Sequence, residues 1–295
     1  MNIKNLFQEK KVVFSFEIFP PKATSSIETI YNTLDELKGL SPDYISVTYG
    51  AGGSIRDNKT TELSSLVKNK YGIEAVAHLT CISSTKEEIQ YYLKELEANN
   101  IQNILALRGD LPLGGGIKGD LNYATDLIKY IQSKGNFNIA AACYPEGHTE
   151  VKGLVAEIEN MKRKEEAGAS YFISQLFFDN NLYYDFQDKV CAANIKAPIE
   201  AGIMPVTNKK QIERMVALSG ASLPEKFKRI MERYEHNPEA LRDAGIAYAV
   251  EQIVDLISTG VDGIHLYVMN NPYLARKISG SIESIITSVN KIELV

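Results

Sequence analysis

Cysteine is scarce in the 295 residues: Cys81, Cys143 and Cys191 lie far apart, form no Cys-x-x-Cys pair and are odd in number. That excludes a disulfide framework and reads as reduced, partly buried thiols of a cytosolic protein. No apolar stretch approaches the roughly 20 residues that span a bilayer, so no membrane partner is expected. Met1 to Lys11 contain no apolar run, so no signal peptide is expected and the location is read as cytoplasmic. Basic residues do not dominate. The formal net charge of −5 speaks against nucleic acid as a partner, which would select a basic face. No His/Cys/Asp cluster has metal-ligand spacing, so no metal is expected. Also missing are the Gly-x-Gly-x-x-Gly turn of dinucleotide folds, the Gly-Lys-Ser/Thr of phosphate loops and the Gly-x-Ser-x-Gly of serine hydrolases.

What remains is an ordinary globular composition, 44% hydrophobic and 23% charged, long enough to bury a core without staples. No linker or shift in composition divides it, so residues 1–295 are read as one catalytic domain. Short β-rich runs alternate with helical ones. Strands are expected at Val12–Phe19, Tyr44–Tyr49, Glu74–Thr80, Asn103–Arg108, Ile139–Tyr144, Tyr171–Phe178, Ile199–Met204 and Gly263–Val268. Each is followed by a helical stretch, and three helices fall between the last two strands. Gly72, Gly168 and Gly260 sit where helices should end, and Thr85 where one should begin. Eight strand-helix units predict an α/β fold, a (β/α)8 TIM barrel with additional helices before the last strand. An open doubly wound sheet is the second choice.

In such a barrel the active site lies at the C-terminal strand ends. Alternation along the first strand turns Phe14, Phe16 and Ile18 toward the helices and Ser15 and Glu17 inward. A carboxylate there is costly unless paired or protonated, and burial of a carboxyl suits a general acid. Other polar residues fall at the same rim: Thr48, His78, Arg108 with Asp110, Tyr144, Gln175, His265 and Tyr267. Singly, a His or Gln on a strand is more often structural, and Arg108 with Asp110 could be an ion pair fixing a loop. Their coincidence at one rim is the signal. Asn160, Arg163 and Lys164 share one helical turn, a spacing that suits a phosphate or pyrophosphate but also an ordinary solvated face. The glycine-rich stretch 113–117 reads as a surface loop that could serve as a lid.

These segments resemble one family. Ser15-Phe16-Glu17-Ile18-Phe19-Pro20-Pro21-Lys22 is similar to the opening signature of methylenetetrahydrofolate reductases. Ser46 to Ala51, Ala77 to Cys81, Ala106 to Pro112, Tyr144-Pro145-Glu146, Lys162 to Lys164, Gln175 to Asp179 and Gly202 to Val206 follow in order. The resemblance covers nearly the whole chain. It implies FAD as cofactor and NADH or NADPH as co-substrate. It also implies ping-pong hydride transfer through the flavin and reduction of 5,10-methylenetetrahydrofolate to 5-methyltetrahydrofolate. It implies Glu17 as the acid and Asp110 as the carboxylate beside the flavin, with Gln175, Gln211 and Tyr267 as further folate contacts. For the cofactor it implies Thr48, Tyr49, Ala51, His78, Arg108, Gly109, Asp110, Tyr123, Ala124, Tyr144, His148, Glu157, Asn160, Arg163 and Lys164. Three positions depart from it: Glu157 stands where bacterial members have Asp, Asn271 where they commonly have Arg, and Met215 where some have Phe. The family forms homo-oligomers, which the resemblance implies here. A variant takes electrons from a partner subunit. Outside the family, a phosphate-binding barrel lyase or aldolase would need a Lys or metal at the rim, and no expected strand carries an inward Lys.

Overall fold

A computed structural model describes residues 1–21, 27–49, 59–110, 119–150 and 153–291. Its centre is a closed barrel of eight parallel strands in sequence order. They are β1 (Val13–Ile18), β2 (Tyr44–Val47), β3 (Glu74–Thr80), β4 (Asn103–Leu107), β5 (Asn138–Cys143), β6 (Tyr171–Ser174), β7 (Ile199–Ile203) and β8 (Gly263–Tyr267). Among the described residues the helices are α1 (Leu6–Glu9), α2 (Ile27–Lys38), α3 (Lys59–Ser65), α4 (Lys86–Ala98), α5 (Ala124–Gln132), α6 (Leu154–Glu166) and α7 (Asn180–Ala192). There follow α8 (Lys209–Ser219), α9 (Glu225–Tyr234), α10 (Pro238–Ser258) and α11 (Pro272–Lys291). The doubly wound alternative is overturned by the pairing of β1 with β8, which closes the sheet. The three expected helices between the last two strands are α8, α9 and α10. Among the described residues no helix is long and apolar enough to cross a membrane.

Strand alternation builds the two cores. Outward residues such as Phe16, Ile18, Ile45, Val47, Ala77, Leu79, Ile104 and Ile264 pack against the surrounding helices. The helices are set by local chemistry. Thr85 Oγ1 accepts from Glu88 N while Glu88 Oε2 accepts from Thr85 N, a reciprocal cap that starts α4. Gly72 and Gly260 take the left-handed backbone expected of them, at φ 71° and 88°.

Inward residues form layers. The lowest contains Val13, Tyr44, Val76, Leu105, Ala140 and Tyr171, closed from beneath by Ile3 and Leu6. That plug is a single 3-10 turn, Ile3–Asn5, running into α1. It is tied to the barrel where Asn103 Oδ1 accepts from Ile3 N at 3.0 Å and Asn138 Oδ1 from Lys4 N at 3.2 Å.

Strand ends agree with expectation to within two residues except at one. β6 ends at Ser174, four residues short of Phe178. The carbonyls there bond to side chains instead of a neighbouring strand. Tyr267 OH donates to Ser174 O at 2.7 Å, Gln252 Nε2 to Phe177 O at 3.1 Å and Tyr248 OH to Phe178 O at 2.6 Å. The ladder is therefore replaced by contacts from β8 and α10.

Candidate active site

Parallel register places Glu17 of β1 beside Tyr267 of β8 and Ser46 of β2, near the C-terminal end of the barrel. One layer below, Ser15 lies beside His265, and His265 beside Gly202 of β7. Glu17 is buried, as alternation predicted, and its Oε2 lies 3.5 Å from His265 Nε2 and 3.6 Å from His78 Nε2. His78 is neutral at ordinary pH, because burial pushes it down to about 4 against the opposing pull of Glu17. His78, which the resemblance implies at the cofactor, lies against Glu17 as well. Tyr267 bridges the mouth from β8 to β6. Its ring lies over Gly202, where an added Cβ would come within 2.8 Å of it and 2.3 Å of Ser174 O.

Beneath Glu17 runs a buried polar chain of which the sequence reading had Ser15 and His265 but not Tyr44 or Glu200. Ser15 Oγ lies 2.7 Å from His265 Nδ1 and donates to Glu200 Oε2 at 3.1 Å, and Tyr44 OH donates to the same oxygen. Because the Ser15 proton goes to Glu200, its oxygen is free to accept from a proton on His265 Nδ1. In that tautomer Nε2 presents a lone pair toward Glu17. Glu200 is fully buried, and burial raises its carboxyl to about 7. The available signal was its even spacing from Gly202 along β7, which turns it inward.

The second feature is a cleft of about 440 Å³ outside the ends of β4 and β5. Arg108, Tyr123, Ala124, Tyr144, His148, Glu157, Asn160, Arg163 and Lys164 line it, together with Leu107, Thr125, Ala142, Ala156 and Glu159, which the sequence reading did not single out. Helix α6 supplies the last-turn pair Arg163 and Lys164. Lys164 Nζ reaches back to donate to Ala142 O at 2.8 Å and lies 3.9 Å from Glu157. Glu157 is buried, desolvation raises it to about 7, and its Oε1 has no hydrogen-bond partner. The Tyr144 and His148 rings meet edge to face at 4.7 Å. Burial, and then the charge of Arg108, lowers His148. Arg108 does not make the ion pair with Asp110 that was one reading of the sequence. Its two terminal nitrogens hold Glu150, at 2.5 and 2.7 Å.

The remaining expected residues divide between rim and periphery. Thr48 and Tyr49 follow β2. Thr48 O accepts from Thr60 Oγ1 at 2.8 Å, and the Tyr49 ring packs edge on to Tyr92. Gly109 has φ 87°, and a Cβ there would come within 3.0 Å of Thr80 Cβ. The exposed Asp110 follows it, and its charge acts on Arg108, Tyr144 and His148. Gln175 follows β6 directly, and its Oε1 accepts from Leu176 N at 2.9 Å. Gln211 lies in the first turn of α8, one turn before Met215 on the same face. Asn271 caps α11, its Oδ1 accepting from Tyr273 N and Leu274 N at 3.1 and 3.3 Å. Ala51 and the loop 113–117 lie outside the described residues. Among the described residues no cluster of His, Cys, Asp and Glu could hold a metal ion.

The family model described as methylenetetrahydrofolate reductase matches residues 2–283. The chain belongs to the methylenetetrahydrofolate reductase family. A 5,10-methylenetetrahydrofolate reductase of Pectobacterium carotovorum is 36% identical over 268 residues, covering 91% of this chain and 89% of its own. The Escherichia coli enzyme of the same name is 36% identical over 90% of this chain and 88% of its own. A methylenetetrahydrofolate reductase (NADH) of Arabidopsis thaliana is 34% identical over 91% of this chain but only 48% of its own. Among solved structures, an uncharacterized Clostridium thermocellum protein that binds two copies of 5-methyl-5,6,7,8-tetrahydrofolic acid superposes with a TM-score of 0.69. It covers 98% of this chain at 16% identity, a likeness of fold. The chain is thus a methylenetetrahydrofolate reductase by family and a (β/α)8 barrel by fold.

Proposed function

We propose that the chain reduces 5,10-methylenetetrahydrofolate to 5-methyltetrahydrofolate with FAD in the cleft of α6, reduced nicotinamide and folate occupying one site in turn. The observation that carries this reading is the position of buried Glu17 beside the two histidines, on the same barrel mouth as a cation-lined cleft. The cleft fits the cofactor. The Oε1 of buried Glu157, which faces Lys164 but has no hydrogen-bond partner, calls for a donor such as a sugar hydroxyl, and Arg108, Arg163 and Lys164 are suited to phosphate oxygens. Tyr123, 64% exposed at the lip, offers an aromatic face. Thr48, Tyr49, His78, Gly109, Ala124, Tyr144, His148 and Asn160 complete the proposed contacts.

When bound, FAD supplies hydride transfer from the nicotinamide to the folate. The chain's own residues supply the acid and the field. Glu17 donates the proton that opens the five-membered ring of the substrate to an iminium. His78, held neutral, adds no positive charge beside it. Asp110 provides negative charge against that cation. Gln175, Gln211 and Tyr267 are proposed to orient the folate, the last fixed by its bond to Ser174 O.

Purified protein should take up FAD and turn over with NADH or NADPH. Absence of FAD uptake would refute the cofactor assignment. Turnover with a reduced dye but with neither nicotinamide would assign electron donation to a partner protein. In Glu17→Gln, nicotinamide should still reduce the flavin, while folate turnover falls by about 100-fold or more, the usual contribution of a placed acid. Normal folate turnover in that variant would remove Glu17 from the mechanism.

A further inference from the structure

The cations of the cofactor cleft already have carboxylate neighbours. Arg163 faces Glu159 at 3.5 Å, Lys164 faces Glu157 at 3.9 Å, and Arg108 holds Glu150 through both terminal nitrogens. These pairs differ in kind. Arg163 and Glu159 are one turn apart on α6 and solvated, so the pair is weak. Glu157 is buried on the same helix. Glu150 comes from the loop between β5 and α6 and crosses to the end of β4, 42 residues away in sequence. Its side chain is 49% exposed, so it can leave Arg108 for water by rotation alone. Its backbone is held separately from that pair, Glu150 N donating to His148 Nδ1 at 3.1 Å. The bidentate geometry matters. A carboxylate and a phosphoryl group present the same forked pair of oxygens to a guanidinium, so they compete for one set of donors.

We propose that Glu150 is a built-in counter-anion of the cofactor cleft, occupying Arg108 until a phosphoryl group of the entering ligand replaces it, and that it thereby sets the affinity for phosphorylated flavin. This rests on the FAD reading above. Two consequences follow from the exchange. The affinity is lowered by the fraction of molecules in which Arg108 is occupied. In addition, one ion pair is traded for another, so binding by the wild type depends less on ionic strength than binding to a free arginine would.

The test is FAD titration of flavin-depleted protein, followed by quenching of flavin fluorescence, with riboflavin as the ligand that lacks phosphate. Glu150→Gln should bind FAD about three- to fivefold more tightly, the range of a partly exposed ion pair, and Glu150→Ala should shift the same way. Riboflavin affinity should be unchanged in both. The salt dependence of FAD binding should steepen in Glu150→Gln. In an Arg108→Ala background the same substitution should be silent. Unchanged or weaker FAD binding by Glu150→Gln, with wild type binding normally, would overturn the role of Glu150 and leave the cofactor reading standing. Failure of both proteins to bind FAD would overturn the cofactor reading and this inference with it. Equal tightening for riboflavin would also overturn it, since the effect would then not pass through phosphate.

Discussion

Asn271 has a side chain that turns back on its own helix. Its Oδ1 takes two of the backbone N–H groups that open α11, while Pro272 has none to offer. The side chain therefore serves the fold here. Asn271→Ala should lower stability by about 1 kcal/mol, the typical cost of losing a side-chain cap, as read from the urea midpoint. An unchanged midpoint would mean that solvent satisfies those groups equally well. Gly202 is a residue of the opposite kind, chosen for what it omits. Without a Cβ it lets the Tyr267 ring lie across the mouth, so the residue that closes the barrel top over β7 is fixed by an absence on the neighbouring strand.

At the level of elements, legibility in the sequence followed the length of the pattern. The eight strands and the helices between them have runs long enough for a period of 2 or 3.6 to show, and their order alone implied the barrel. The α6 cluster was legible because Asn160, Arg163 and Lys164 are neighbours on one turn. Glu150 was not, since its partner Arg108 lies on another loop and no local spacing links them. Glu200 was hidden because its one signal, even spacing from Gly202, depends on which way a residue without a side chain faces. The early end of β6 was invisible because the side chains that take its carbonyls come from β8 and α10. The N-terminal plug is the plainest case: three residues and then four are too few for periodicity, yet Ile3 is fully buried. Ile3→Ala should cost about 2–5 kcal/mol, because the barrel floor cannot collapse around the cavity. Chemical denaturation measures this. A loss below 1 kcal/mol, the scale of a surface substitution, would show that the plug is dispensable.

Across the whole molecule, titratable groups shifted by burial give stability a pH dependence whose sign can be worked out. Glu157 and Glu200 are each raised from 4.5 to about 7 by burial. Between those values the folded chain holds protons that the unfolded chain has released, so each makes stability fall as pH rises through that window. His78 is lowered from 6.5 to about 4. There the unfolded chain holds the extra proton, so His78 makes stability rise with pH over nearly the same range. The histidine opposes the two carboxylates, and Asp262, also raised by burial, adds to the decline. The substitutions should separate these contributions in flavin-free protein unfolded by urea at about pH 5 and pH 7. His78→Gln should steepen the decline. Glu200→Gln should flatten it, since one of the carboxyls that holds an extra proton in the folded chain is gone. If wild type and Glu200→Gln lose the same stability between the two conditions, Glu200 is not the carboxyl that binds the extra proton, and the chain from Tyr44 through Ser15 to His265 holds it ionised.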